Sequence, residues 1–201
     1  MGDNTIRAIV PAAGASLRMG KPKLELPFGE VSVLQQVIRS LTKGGVEEIT
    51  IVVRRDAEGI RKSLQEFGVH FVTNDDPDRG MLTSIQEGIL HSPMPDLGWL
   101  IALADQPMID PLNIQQIVEV ASTNQERLVF PILNGKRGHP IFIPKMYRED
   151  LLALPPDAGL HALTRKYADD ALLLEVENEN IHFDLDTPDD YERALNLRLL
   201  N

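Results

Sequence analysis

Three cations and a run of small residues share one stretch near the start of the 201-residue chain: Ala12-Ala13-Gly14-Ala15-Ser16-Leu17-Arg18-Met19-Gly20-Lys21-Pro22-Lys23. No acidic residue stands between Asn4 and Lys23. The whole chain holds 20 Lys and Arg against 30 Asp and Glu, a formal net charge of −10, so positive charge concentrated here is aimed at an anion. Ala12, Ala13 and Gly14 put no bulky side chain between a ligand and the backbone N–H groups, which suits the cradling of phosphates. Ser16 adds a hydroxyl. Arg18 and Lys23 supply charge that would neutralise a triphosphate as pyrophosphate leaves. The dinucleotide fingerprint G-x-G-x-x-G is absent, because the glycine after Gly14 is Gly20, and no G-K-[ST] of a Walker A loop occurs.

Acidic residues supply the second half of the chemistry. Asp105 directly follows the apolar run Trp99-Leu100-Ile101-Ala102-Leu103-Ala104, so its carboxylate is expected at a rigid strand end. Mg²⁺ suits such a place, since it takes one or two protein carboxylates and fills its other positions with substrate phosphate and water. Asp186 is the expected second metal ligand, with Asp184 as the other candidate. Gly80, Thr83 and Ser84 open a helix, and its free N–H groups and two hydroxyls suit a nucleotide's ribose, base or phosphate, though plain N-capping explains them equally well. Gly138-His139-Pro140 forms a rigid turn with a titratable ring. Asp189 and Asp190 fit the first turn of the last helix, while Glu25, Asp75, Asp76 and Asp78 read as solvated or turn residues.

The elements that position these groups alternate in type. Strands are expected at 6–13, 48–53, 69–73 and 99–104, with helices at about 31–43, 57–66, 81–91 and 110–122. The apolar 99–104 run predicts a central strand covered on both faces. Strands at 127–133 and 139–143 join through the hairpin-like Asn134-Gly135-Lys136-Arg137-Gly138. Helices near 145–154 and 158–167, a strand at 171–177, an extended piece at 181–185 and a helix capped by Thr187-Pro188 complete the chain. This order predicts a single three-layer αβα Rossmann-like domain over residues 1–201, with a mostly parallel mixed sheet and right-handed crossovers. In such sheets ligands sit beyond the carboxyl ends of the strands.

Composition removes several classes of function. The acidic balance speaks against general nucleic-acid binding. With no cysteine, disulfides, thiolate metal sites and a cysteine nucleophile are excluded. The N-terminus has no signal-peptide pattern, and no apolar run approaches about 18 residues, so a cytoplasmic protein with no membrane partner is expected.

Taken together, these segments resemble the molybdenum cofactor nucleotidyltransferases, most nearly their cytidylyl-transferring branch. Ala12 to Lys23 is similar to that family's A-A-G-x-S-x-R-M-G-x-x-K signature, and Ala104-Asp105-Gln106-Pro107-Met108 is similar to its D-Q-P metal motif. Gly80-Met81-Leu82-Thr83-Ser84-Ile85, Arg137-Gly138-His139-Pro140 and Asp184-Leu185-Asp186-Thr187-Pro188-Asp189-Asp190 resemble three further segments in family order. The resemblance implies a Rossmann-like nucleotidyltransferase that uses CTP and Mg²⁺. Its acceptor would be the molybdopterin cofactor, whose terminal phosphate attacks the nucleotide, and its recipient a molybdenum hydroxylase apo-enzyme. Arg18, Lys23 and Asp105 would be catalytic, Asp105 and Asp186 would hold the metal, and Gly138, His139 and Pro140 would face the acceptor. Ala12, Ala13, Gly14, Ser16, Arg18, Lys23, Gly80, Thr83 and Ser84 would bind the nucleotide. Guanylyl-transferring relatives carry A-G-G where this chain has Ala12-Ala13-Gly14, which favours a pyrimidine. Pro11 and the segment Asp157-Ala158-Gly159-Leu160-His161, which has no Lys or Arg, depart from the family pattern. Two other readings stay open: transfer to a sugar phosphate or other small phosphate, and a non-catalytic molybdenum cofactor carrier.

Overall fold

The structure, a computed structural model, describes residues 5–14 and 19–199. Strand β1 (Ile6–Pro11) is followed by a small hairpin, β2 (Pro27–Phe28) and β3 (Val31–Ser32), and by helix α1 (Val33–Lys43). Then come β4 (Glu48–Val53), α2 (Glu58–Ser63), β5 (His70–Thr73), α3 (Met81–His91), β6 (Gly98–Ile101) and α4 (Pro111–Thr123). The remainder comprises β7 (Leu128–Leu133), β8 (Lys136–Arg137), β9 (Ile141–Pro144), α5 (Arg148–Leu152), α6 (His161–Lys166), β10 (Ala171–Glu175) and α7 (Pro188–Leu199). Among the described residues no helix is long and apolar enough to cross a membrane.

The main sheet runs β10-β7-β9-β6-β1-β4-β5, with β8 paired to β7. β1 pairs in parallel with both β4 and β6, whereas β9 is antiparallel to β6 and to β7. The sheet is therefore mixed and mostly parallel, as expected. Its interior strands are apolar on both faces because helices cover both. Along β1, Ala8 and Val10 face one core with α1 and α4, and Ile9 faces the other with α3, α5 and α6. β6 divides in the same way, with Leu100 to the first core and Trp99 and Ile101 to the second. Helix α3 lies close on the sheet: a Cβ added to Gly88 would stand 2.6 Å from Ile9 Cγ2 and 3.0 Å from Val52 Cγ2.

Local chemistry sets the helix starts. Ser32 and Gln35 form a reciprocal capping box on α1, with Gln35 N donating to Ser32 Oγ at 3.3 Å and Ser32 N to Gln35 Oε1 at 2.8 Å. Asp110 caps α4 by accepting from Leu112 N at 2.9 Å, with Pro111 at the first helical position. Thr187 and Asp190 cap α7 in the same reciprocal manner.

Several boundaries differ from the sequence expectation. Strand β6 ends at Ile101 rather than 104, since beyond the Ala102 N–H bond to Ile9 O the chain turns out of the sheet. The 145–154 stretch divides into a 3₁₀ turn, Lys145–Tyr147, and the five-residue α5. The stretch at 181–185 is not extended throughout: Glu179–His182 is a 3₁₀ turn capped by Asn178, whose side chain takes up the Asn180 N–H. The Asn134-Gly135 turn closes a hairpin with the two-residue β8, not with β9, and β9 instead inserts between β7 and β6.

Candidate active site

The chain enters the sheet at β1 and goes through α1 to β4 on one side. It later returns through α3 to β6 on the other side, with α3 on the opposite face from α1. The β1–β6 boundary is thus the place where strand order reverses, and the loops leaving the two strand ends must diverge and open a crevice there. A cavity of about 580 Å³ occupies it. Ala12, Ala13 and Gly14 line it from β1, and Leu103, Ala104 and Asp105 from β6. Lys23, Gly80, Met81, Ser84, Asp184 and Asp186 close its sides. Ser16 and Arg18 lie outside the described residues.

Lys23 begins a 3₁₀ turn, Lys23–Glu25, anchored by the buried Leu24. Its ammonium donates to Asp105 Oδ2 at 2.5 Å and to Asp186 Oδ1 at 3.2 Å. Burial alone would lower the Lys23 pKa, but the hydrogen bonds and charges of the two aspartates outweigh it and raise the value. Residues 82 and 163 positions away in the chain therefore meet at one cation. Leu185 N donates to Asp105 O at 3.0 Å, which ties the two acidic segments together through the backbone.

Asp184 is held differently. The buried Gln106 donates from Nε2 to Asp184 Oδ1 at 2.7 Å and to Ile181 O at 3.3 Å. Burial raises the Asp184 pKa, with the Gln106 bond opposing and the charges of Asp105 and Asp186 adding to the rise. The carboxylate that shares a cation with Asp105 is thus Asp186, while Asp184 is tied to an amide. Among the described residues no group of three or more His, Asp or Glu forms a cage for a metal ion. The hard oxygens of Asp105 and Asp186 already converge on one positive charge, and that donor set fits a divalent cation that completes its shell with phosphate and water.

Gly138, His139 and Pro140 do not line this cavity. Gly138 and His139 pack instead against Ile181 and the end of β6. His139 N donates to Ile181 O at 3.2 Å, and its Nδ1 lies 3.4 Å from Ile101 O. Burial holds the His139 pKa below its ordinary value, against the opposing effects of the Ile101 carbonyl and the Asp105 charge. Gly138 is required by packing, since a Cβ there would lie 2.7 Å from Ile181 O.

At the start of α3, Gly80 has φ +106°, a conformation that disfavours a side chain, and Met81 and Ser84 project beside it into the cavity. Thr83 does not line the cavity; its hydroxyl donates to Gly80 O at 2.7 Å. Neither Gln106, quoted only as part of the Asp105 motif, nor Asn74 stands out in the sequence as a site residue. Both are buried amides that hold site segments in place, and an isolated Asn or Gln in a polar run has no periodicity to mark it.

The chain is similar over nearly its whole length to several known proteins. Molybdenum cofactor cytidylyltransferase of Escherichia coli (strain K12) is 26% identical over 191 residues, covering 95% of this chain and 96% of that protein. Nicotine blue oxidoreductase of Paenarthrobacter nicotinovorans is also 26% identical, over 208 residues, covering 97% of this chain and 100% of the relative. The crystal structure of Rv0371c from Mycobacterium tuberculosis H37Rv in complex with manganese superposes with a TM-score of 0.81 at 24% identity, covering 96% of this chain and 98% of the other. Residues 8–171, a span that takes in most of β1, Lys23, Asp105 and the His139 turn but not Asp184 and Asp186, match a family model, and the chain belongs to that family, the MobA-like NTP transferase domain.

Proposed function

We propose that this NTP-dependent nucleotidyltransferase moves CMP from CTP to the terminal phosphate of the molybdopterin cofactor. The observation that carries the proposal is the convergence of Lys23, Asp105 and Asp186 at a cavity whose other wall is the backbone of Ala12, Ala13 and Gly14. An oxygen of the acceptor phosphate attacks the α-phosphorus of CTP. The bond from that phosphorus to the bridging oxygen of the β-phosphate breaks, and pyrophosphate departs. The attacking oxygen is already ionised at neutral pH, so the protein need supply no nucleophile. Its work is alignment and charge neutralisation.

Asp105 and Asp186 would hold Mg²⁺, which when bound neutralises phosphate charge and fixes the geometry of the triphosphate. Lys23, released from the carboxylates, would then balance charge on the departing pyrophosphate, together with Arg18. The N–H groups of residues 12–14 and the first turn of α3 would orient the triphosphate and nucleoside, and Gly138, His139 and Pro140 would set the floor on the acceptor side. The E. coli cytidylyltransferase supports CTP and this acceptor, and the manganese complex of Rv0371c supports a divalent cation. A molybdenum hydroxylase apo-enzyme would receive the product. Pro11 and the segment 157–161, which has no Lys or Arg, leave a sugar phosphate or other small phosphate as the competing acceptor.

The test is pyrophosphate release with CTP, GTP and UTP in turn, with and without molybdopterin. Release that requires CTP and molybdopterin together is the expected result. Release with a sugar phosphate alone would reassign the acceptor, and no release with any pair would leave a carrier, or the oxidoreductase that the second relative's name suggests.

A further inference from the structure

Asn74 follows β5, and only 3% of it is exposed. Its backbone N–H continues the sheet by donating to Val53 O at 2.9 Å. Its side-chain amide is used entirely within the protein. Oδ1 accepts from Asp76 N at 2.9 Å, and Nδ2 donates to Thr83 Oγ1 and Ser84 Oγ, each at 2.9 Å. The orientation of the amide is not arbitrary. A backbone N–H can only donate, so the end facing Asp76 must be the oxygen, and the NH₂ must face the two hydroxyls.

This divides the fates of Thr83 and Ser84. Thr83 accepts from Asn74 and donates to Gly80 O, so both its roles are filled inside the protein. Ser84 accepts from Asn74 and lines the cavity, and among the described residues no acceptor takes its proton. We propose that Asn74 is a positioning residue: by donating to Ser84 Oγ it leaves that hydroxyl proton to the nucleotide. The site thereby selects an accepting atom, whether a base or ribose oxygen, an unprotonated ring nitrogen or a phosphate oxygen. A ligand group that only donates leaves the buried O–H unpaired and is penalised. The inference rests on the nucleotidyltransferase reading and adds the polarity of one contact to it.

The experiment is equilibrium binding of CTP, GTP and UTP, each with Mg²⁺, to wild type, Ser84→Ala, Asn74→Asp and the double variant, with thermal unfolding of each. In Asn74→Asp the carboxylate accepts the Ser84 proton and turns it away from the cavity. Affinity for the best nucleotide should fall about tenfold in Ser84→Ala and in Asn74→Asp. On the Ser84→Ala background, Asn74→Asp should change affinity by less than about threefold, because its effect runs through the missing hydroxyl. In turnover, the nucleotide KM should rise more than kcat falls. The same factor for Asn74→Asp on both backgrounds would reveal a simple charge effect and overturn the proposal. So would Ser84→Ala binding within twofold of wild type, which decides the matter even if Asn74→Asp fails to fold. If wild type binds no nucleotide, the reading beneath falls and takes this inference with it.

Discussion

The two halves of the sheet build their share of the crevice by different means. From β1 to α4, strands and helices alternate, every strand of the main sheet is parallel to its neighbours within this half, and the groups at the crevice are strand ends and small residues. From β7 onward the order is broken by the antiparallel β9 and by 3₁₀ turns, and Asp184 and Asp186 arrive on a segment with no strand of its own. That segment is fixed by its buried Ile181 and Leu185 and by hydrogen bonds to its neighbours: Leu185 to Asp105, His139 to Ile181, and Gln106 to both Ile181 and Asp184. The first half inherits its geometry from the sheet. The second is cross-braced, so small changes there should move catalytic groups without unfolding the protein.

The largest effect is expected where the halves meet. Asp105→Ala should lower turnover by about 10³-fold with an unchanged circular dichroism spectrum, measured as pyrophosphate release. Near-normal rates at saturating Mg²⁺ would show that Asp105 is not a metal ligand. Lys23→Met should lower turnover by about 10²-fold, and it should also raise Mn²⁺ affinity in the nucleotide-free protein, because a competing cation has been removed from between two carboxylates. Electron paramagnetic resonance titration of Mn²⁺ reads the second effect directly. Gly138→Ala sharpens the contrast between halves. Crowding against Ile181 should cost about 1–3 kcal/mol and displace the segment carrying Asp184 and Asp186, lowering turnover more than nucleotide affinity.

A smaller test concerns pH. Burial keeps the folded-state pKa of His139 below its ordinary 6.5, so below that pH the unfolded chain takes up a proton more readily than the folded one. The His139 contribution is whole above about pH 6.5 and is lost as pH falls toward the lower folded value. The stability difference between wild type and His139→Gln should therefore change across that window, as measured by Tm against pH. Least of all, Asp110→Ala should cost about 1 kcal/mol in urea unfolding through the lost α4 cap and leave catalysis untouched.

Sequence made the regular half legible because its signals are local. The apolar 99–104 run and the Asp110-Pro111 cap each act through neighbouring residues, and the strand and helix types follow from periodicity. The place of Asp105 follows from the apolar run before it, whereas the meeting of Lys23 with both Asp105 and Asp186 spans 82 and 163 positions and has no local signal. What escaped depends on contacts distant in the chain. Nothing near Asn134-Gly135 says that β9 will pair chiefly with β6, since both choices bury the same apolar run. Asn74 and Gln106 could not be told from solvated turn residues until the segments they bridge were seen together. Gly138, Thr83 and His139, which the resemblance implies as ligand-facing residues, here meet backbone carbonyls, contacts that no local pattern marks.

Gly88 holds one more consequence. With no side chain between α3 and the sheet at that point, the helix seats directly on Ile9 and Val52, and an added methyl would lift it away. The position of the cavity wall at Met81 and Ser84 is then set by how closely that helix is seated. Under the proposed function, a change of base preference would then come from the side chains at the helix tip rather than from a shift of the helix.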